Sequence, residues 1–169
     1  MLESAERLKL FEQVVTENRK RIYLVARSNA PRNCAQDLEQ EILTALWQSL
    51  DTYEGRSSLS TWVYGIAVNT ARYFNREHRR REVILATLPA KSIETPHPEH
   101  NLDMVRIVEA FIQSLDEEDR NLFVMYLDDI CYADMARVLD REEASLRMKV
   151  SRLKKQLRER YGVEAQNGT

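Results

Sequence analysis

The sequence predicts an all-α protein made of two small helical domains. Only four glycines and four prolines occur among its 169 residues, which favours helices over a turn-rich β fold. Apolar residues recur at helical spacing in both halves of the chain. No segment alternates convincingly with the period of two that is typical of strands.

A proline-rich stretch divides the chain. Three of the four prolines lie between Leu88 and Pro98, and each removes a backbone donor and restricts the residue before it, so a helix cannot continue there. We therefore expect two modules joined by a flexible linker, with a short tail. The predicted bounds are 1–82 for the first module, 83–103 for the linker, 104–161 for the second module and 162–169 for the tail.

The first module begins with two predicted helices. Apolar residues from Phe11 to Val25 have helical spacing, and this helix should stop near Pro31. Asp37 is the predicted N-cap of the second helix. That helix carries an apolar residue at every fourth position: Leu38, Ile42, Leu46 and Leu50.

A loop at 51–60 and a third helix from Thr61 to Arg80 complete the first module. One face of this helix is predicted to pack inward: Val63, Ile66, Ala67, Thr70 and Phe74. Another face is polar and basic: Asn69, Arg72, Tyr73, Arg76 and Arg80. The helix therefore has one side for a core and one for an anionic partner.

Four helices are predicted in the second module. Apolar spacing from Ile107 to Leu115 indicates the first, and Asp116 with Asp119 resembles a capping-box start for the second, which ends near Leu127. A short helix over 132–139 and a turn at Asp140 follow. Asp140 with Glu143 then opens the last helix, with an apolar stripe at Leu146, Val150, Leu153 and Leu157.

Charge is segregated along a chain whose net charge is only −2. Residues 33–55 carry five acids and no base, residues 72–81 carry five arginines against one acid, and residues 141–160 carry eight bases against three acids. Segregation of this kind indicates different partners for different faces, with nucleic acid at the basic ones.

Several function classes are excluded. The glycines form no cluster that could cradle a nucleotide, and no catalytic constellation is present, so we expect neither an enzyme nor a cofactor. His97 and His100 lack a third close ligand, so no metal site is expected. The two distant cysteines indicate a reducing compartment, and no apolar run suits a signal or a membrane span, which together predict a cytoplasmic protein.

The last two helices have helix-turn-helix spacing. The final helix exposes polar and basic residues away from its apolar stripe, and such side chains reach base edges when a helix enters the major groove. The predicted DNA-contacting residues are Ser145, Arg147, Met148, Lys149, Ser151, Arg152 and Lys155. In the third helix, aromatic residues interleave with arginines, which suits single-stranded nucleic acid; they include Trp62, Tyr64, Tyr73 and Phe74.

These motifs resemble the extracytoplasmic-function (ECF, group 4) sigma factors of the sigma-70 family. The stretches at 37–41, 53–55 and 60–70 resemble conserved region 2, and the pattern from Ser114 to Arg152 resembles region 4. The resemblance implies a sigma region 2 helical bundle, a sigma region 4 helix-turn-helix, and a sigma factor that binds core RNA polymerase, recognises the −35 and −10 promoter elements and opens the −10 duplex.

The resemblance also implies residue roles. Core polymerase would be bound by Asp37, Gln40 and Glu41. The −10 element would be bound by Tyr53, Glu54, Gly55, Arg56, Ser57, Ser58, Trp62, Asn69, Arg72, Tyr73, Arg76 and Arg80, with the loop and Asn69 receiving a flipped base. The −35 element would meet the last helix, although Asp140 and the stretch 142–145 depart from the family pattern.

The implied partners are core polymerase, promoter DNA and an anti-sigma factor, with no insertion into a membrane. We expect the free protein to be flexible, or compact through weak contacts, and to rearrange when it binds the polymerase. Two alternatives remain at this point: a sigma mimic that sequesters an anti-sigma factor, and a dimeric helix-turn-helix repressor.

Overall fold

The computed structural model describes residues 4–30, 32–85 and 104–162, and the regular structure within them is entirely helical. The all-α prediction is therefore confirmed. Short 3₁₀ turns lie at Arg32–Cys34 and Leu50–Thr52. The α-helices are α1 (Ser4–Asn29), α2 (Ala35–Ser49), α3 (Leu59–Leu85), α4 (Met104–Ser114), α5 (Glu117–Leu127), α6 (Tyr132–Leu139) and α7 (Glu143–Tyr161).

The core of the first module lies where α1, α2 and α3 pack against one another. The predicted stripe of α2 is buried along its whole length, with Leu38, Ile42 and Leu46 fully buried and Leu50 only 2% exposed. Burial of each such side chain stabilises the fold by about 1.5–3 kcal/mol. The four-residue spacing thus identified the inward face of this helix correctly.

The predicted start of the second helix and the predicted outward position of Tyr64 are wrong. The 3₁₀ turn ending at Cys34 leads straight into α2, so the helix begins at Ala35 with Cys34 as N-cap, and Asp37 lies in its first turn, where its charge favours the helix dipole. Tyr64, grouped with the nucleic-acid-facing aromatics, is fully buried. Its position along α3 turns it inward between the buried Val63 and Ala67.

Helix α3 is longer than predicted at both ends. Ser58 stabilises its start, since the Ser58 Oγ accepts a hydrogen bond from the backbone N–H of Thr61 at 3.1 Å. The helix continues to Leu85, so the first residues of the predicted linker are helical. The rest of that linker and almost all of the predicted tail lie outside the described residues.

The second module is a four-helix unit, α4 to α7. The Asp116 carboxylate accepts a hydrogen bond from the Asp119 N–H at 2.9 Å, which confirms the predicted cap of α5. The half-buried Arg120 donates to the carbonyl oxygens of Ile112 and Leu115 and so satisfies acceptors left open at the end of α4.

The turn before α7 differs from the predicted capping box. Asp140 adopts a left-handed conformation, with φ +54° and ψ +54°, and Glu142 rather than Asp140 is the N-cap of α7. The stripe of α7 is buried as predicted at Leu146, Val150 and Leu153. The helix-turn-helix geometry therefore forms around a residue other than the glycine that usually occupies a left-handed position.

The two modules pack against each other. Helix α5 of the second module contacts α1, α6 contacts α3, and α4 also touches α1. The described chain is thus arranged as one body in which α1 and α3 serve both their own module and the interface.

The left-handed turn yields a stability prediction. Asp140→Gly should raise the free energy of unfolding by about 1 kcal/mol, because glycine adopts positive φ without a Cβ clash. Asp140→Ala, which keeps a Cβ, should give no such gain. Urea denaturation of the two variants measures the difference, and an equal effect of both substitutions would contradict the assignment.

Candidate functional site

A groove between α2 and the C-terminal half of α3 brings the predicted polymerase-binding residues together. It encloses about 540 Å³ and is lined by Asp37, Gln40, Glu41, Cys34, Phe74, His78 and Arg81. The first three are exposed on α2. The Cys34 Sγ lies 3.7 Å from His78 Nε2, and Phe74 stacks on the His78 ring.

The α3 wall of this groove was missed in the sequence. Phe74, His78 and Arg81 recur at helical spacing on one face, which is the signal that could have indicated a second wall. The groove therefore offers carboxylates on one side and, on the other, an aromatic ring, an imidazole and a guanidinium.

The loop between α2 and α3 is ordered by its own contacts. The Tyr53 hydroxyl donates to the Ser57 carbonyl oxygen at 3.0 Å, and the Tyr53 and Trp62 rings lie 5.2 Å apart. Gly55, at the exposed tip, has φ +70°, a conformation that glycine adopts without strain. Glu54 and Arg56 on either side of it form an exposed ion pair. The half-buried rings therefore form the base of the loop, below its exposed tip.

An exposed polar face continues from this loop along α3. Trp62 and Asn69 lie seven residues apart on one side of the helix, about 10 Å along its axis. Tyr73 is 60% exposed, and the Arg76 guanidinium lies 5.2 Å from its ring centre. Asn69 is exposed. This face thus combines aromatic rings, an amide and cations in a single row.

Arg72 and Arg80 differ from the rest of that row. Arg72 is half-buried and its Nε lies 4.0 Å from a carboxylate oxygen of Glu117 in the second module. Arg80 is exposed and pairs with Glu77 on its own helix. Two arginines of the row are therefore already paired with carboxylates, which their sequence spacing does not indicate.

The outer face of α7 carries most of the residues predicted to contact DNA. Met148, Ser151, Arg152 and Lys155 are exposed, with Met148 59% exposed. The Arg147 guanidinium lies 4.4 Å from the Tyr132 ring centre and pairs with Glu143. Tyr132 begins α6, so both helices of the helix-turn-helix position this arginine.

Lys149 lies apart from this face. Its ammonium group is 2.8 Å from an Asp119 carboxylate oxygen and 3.5 Å from one of Glu118, both at the start of α5. The hydrogen bond with Asp119 raises the pKa of Lys149 despite the opposing effect of burial. The structure thus directs this lysine, predicted to meet DNA, into an ion-pair network within its own module.

Glu118 is the second centre of that network. Arg141 pairs with it at 3.0 Å, and this hydrogen bond lowers the pKa of Glu118 below its ordinary value, with the charge of Lys149 acting in the same direction. The network joins the start of α5 to the turn and the last helix, and it adds to the packing of the buried α7 stripe.

Metal and membrane features are not found in the part of the chain that the structure describes. No group of three or more candidate metal ligands occurs there, and none of the described helices is long and apolar enough to cross a membrane. His97 and His100 lie outside the described residues.

Comparison with known proteins gives a consistent result. The family described as Sigma-70 region 2 matches residues 14–81. The chain is 26% identical over 162 residues to the ECF RNA polymerase sigma-E factor of Haemophilus influenzae, covering 88% of this chain and 86% of the relative. The Escherichia coli K12 protein of the same name is 26% identical over 157 residues, covering 85% and 82%.

Two solved structures share the fold. The sigma factor RpoE from Bartonella quintana, crystallised with the anti-sigma factor NepR, superposes with a TM-score of 0.76 at 20% identity, covering 92% of this chain and 99% of that one. CnrH in complex with the cytosolic domain of CnrY gives a TM-score of 0.61 at 20% identity, covering 89% and 86%.

The ion-pair network of α5 and α7 predicts an acid-sensitive stability. Because the pKa of Glu118 is lower in the folded chain than its ordinary value of 4.5, its contribution is present above that value and is lost as the pH falls through the folded pKa. The urea midpoint of the wild type should therefore decline between pH 6 and pH 3. Arg141→Gln removes the hydrogen bond that lowers the Glu118 pKa, so the midpoint of this variant should decline less. Arg158→Gln, which removes an exposed arginine whose side chain donates to the Lys154 carbonyl oxygen, should leave the decline unchanged.

Proposed function

This chain belongs to the sigma-70 family of RNA polymerase sigma factors, in its extracytoplasmic-function group, and we propose that it binds core RNA polymerase and directs it to promoters. Sigma factors are initiation factors without catalytic chemistry of their own, so the chain is not an enzyme. One observation carries the proposal: the chain combines an exposed acidic helix, α2, with two separate basic helices, α3 and α7.

The polymerase contact is proposed at the groove beside α2. Asp37, Gln40 and Glu41 are exposed and line one wall, and carboxylates on an otherwise base-free stretch suit a basic partner. Phe74 and His78 on the opposite wall add apolar and aromatic surface to the same groove. Domain 1–82 would thus hold the polymerase through α2.

The −10 contact is proposed at the loop and the exposed face of α3. Arginines neutralise phosphates, but preference for opened DNA of one sequence needs a place for an unstacked base. The Tyr53–Trp62 ring pair, the exposed loop around Gly55, and Asn69 on the adjoining helix face supply aromatic surface and an amide that donates and accepts.

The −35 contact is proposed at α7 of the second module, 104–161. Arg152 and the adjoining exposed Met148, Ser151 and Lys155 suit a helix lying in the major groove, where arginine reads guanine and apolar side chains meet the thymine methyl group. Arg147 would join them once Glu143 releases it, whereas Lys149 supports the helix through its ion pairs.

An anti-sigma factor is a further proposed partner. One protein of similar fold was solved in complex with an anti-sigma factor, NepR. Another was solved in complex with the cytosolic domain of CnrY. The proposed site of action is the cytoplasm, since core polymerase and promoter DNA lie there. Both free cysteines are consistent with a reducing compartment.

The two alternatives explain less of the molecule. A sigma mimic without DNA binding leaves the basic faces of α3 and α7 without a role, and a dimeric repressor leaves the acidic groove of α2 unexplained. Transcription in vitro with core polymerase separates the sigma factor from both alternatives, because only a sigma factor produces promoter-specific transcripts.

Core binding predicts the effect of charge reversal on α2. Asp37→Lys combined with Glu41→Lys should weaken holoenzyme formation at least tenfold, while the free energy of unfolding falls by only about 1 kcal/mol, because a lysine in the first turn of α2 opposes the helix dipole. Glu12→Lys combined with Glu17→Lys, which reverses two exposed carboxylates on α1, is the control of equal charge and should leave core affinity unchanged. Equal core affinities for all three proteins would refute the docking surface.

Promoter opening predicts a specific defect for Asn69→Ala. The variant should lose discrimination among −10 sequences and open the duplex more slowly, because the amide that recognises a base edge is gone. Binding of a −35 duplex should be retained. A pre-melted −10 bubble should restore part of the opening but not the sequence preference; permanganate footprinting on promoters with single −10 substitutions measures both, and wild-type behaviour would make Asn69 a purely structural residue.

A further inference from the structure

Arg7, near the start of α1, contacts the end of α2 in three ways. Its guanidinium carbon lies 4.6 Å from the centre of the Trp47 ring. Its Nη2 donates to the Trp47 carbonyl oxygen at 2.9 Å, and its Nη1 lies 3.4 Å from Asp51 Oδ2. Trp47 is in the last turn of α2, whose carbonyl oxygens are open to partners from outside the helix. One side chain therefore holds a ring, a carbonyl oxygen and a carboxylate where α2 ends.

The stacked guanidinium makes the pair with Asp51 different from an ordinary surface ion pair. An exposed pair usually contributes little, because both side chains lose freedom when they meet. Here the Trp47 ring and carbonyl oxygen already fix the plane of the Arg7 guanidinium. The Trp47 ring is itself held by an edge-to-face contact with Phe11, with the ring centres 5.2 Å apart. Asp51 therefore meets a cation whose orientation is set before the pair forms.

Asp51 leads directly into the loop between α2 and α3. It lies in the 3₁₀ turn Leu50–Thr52, and the backbone N–H of the following Tyr53 donates to the Leu50 carbonyl oxygen at 3.3 Å. Tyr53 carries the ring that faces Trp62 at the base of the loop. A shift of the turn at Asp51 is therefore carried into this ring pair, only two residues further along the chain.

The loop is held at its two ends. Among the residues that the structure describes, the side-chain hydrogen bonds, ion pairs and ring contacts of 53–58 all stay within 53–62. At the exit, Ser58 caps α3 and fixes the loop to that helix. At the entry, the buried Leu50 and the pair of Arg7 with Asp51 hold the chain to α1 and α2. Helix α3 thus fixes one end of the loop, and Arg7 helps to fix the other.

We propose that Arg7 is a positioning residue for −10 recognition: by holding Asp51, it sets the position of the Tyr53–Trp62 ring pair beside the unstacked base. The inference rests on the proposed function, because it deepens the role given there to this loop. Arg7 acts through Asp51 and needs no contact with DNA. A displaced ring pair still offers stacking surface to any base, so loss of the arginine lowers sequence preference more than it lowers binding of single-stranded DNA.

Discrimination among −10 sequences tests this role. The measured quantity is the opening rate of the holoenzyme on its preferred −10 sequence divided by the rate on single-base substitutions, followed by permanganate footprinting. Arg7→Gln should lower this ratio several-fold and leave the affinity for a −35 duplex unchanged. Arg19→Gln, the same substitution at an exposed arginine elsewhere on α1, is the matched control and should keep the wild-type ratio.

A second control distinguishes a displaced loop from a general loss of stability. Ile22→Val removes one buried carbon from α1 and so weakens its packing without touching Asp51. It should keep the wild-type ratio. Hydrogen exchange in the free chain adds a measurement without polymerase: Arg7→Gln should speed exchange of the Tyr53 backbone N–H several-fold, whereas Ile22→Val should not, because this amide exchanges by local opening.

The double variant Arg7→Gln with Asp51→Asn separates positioning from charge compensation. Asp51→Asn alone should lower the ratio as Arg7→Gln does, and the double variant should lower it no further, because the two residues act through one contact. If Arg7 only neutralised Asp51 near the DNA phosphates, the double variant would regain the wild-type ratio. That result would overturn the positioning role.

The outcomes separate this inference from the proposed function. An unchanged ratio in Arg7→Gln, beside a wild type that discriminates, overturns the inference and leaves the function in place; unchanged exchange of the Tyr53 N–H overturns it as well. If the wild-type holoenzyme does not distinguish −10 sequences, the proposed function fails and the role of Arg7 in recognition fails with it. The exchange rates then still decide whether Arg7 orders the loop.

Discussion

The burial of α3 is the constraint on which the rest of the structure depends. Its inward residues, among them Val63, Ala67 and Ala71, are fully or almost fully buried, and the helix packs on α1 and α2 while α6 meets it from the second module. Small side chains at Ala67 and Ala71 allow neighbouring backbones to approach closely. Once this helix is fixed, the loop before it, the groove beside α2 and the arginine row take their positions together.

The sequence predicted the helices well because the apolar residues of each helix recur at regular helical spacing. Leu38, Ile42 and Leu46 repeat at one helical interval, and Asp116 has the side chain and position of an N-cap. The segregation of charge along the sequence likewise predicted an acidic surface at α2 and a separate basic surface at α7. These features depend on residues close together in the chain, where spacing alone determines which side chains share a face.

Features that depend on distant residues were not predictable in this way. Tyr64 looks like one more aromatic residue in a basic helix until Asp128, far along the chain, supplies a partner for its hydroxyl; burial then raises the pKa of Tyr64 above its ordinary value, and the nearby Asp128 charge adds to this. Lys149 resembles its neighbours on α7 in the sequence, but α5 places Asp119 beside it. Helix spacing does not show which cation a distant carboxylate neutralises.

The ion pairs of Lys149 have a consequence for engineering promoter preference. Replacing the whole of α7 by a helix without a lysine at this position would leave Glu118 and Asp119 with less compensation. A transplant limited to the outward positions, such as Met148, Ser151 and Arg152, would carry a foreign recognition surface on the native support. Recognition and support are therefore divided between two sides of one helix, so they can be exchanged independently.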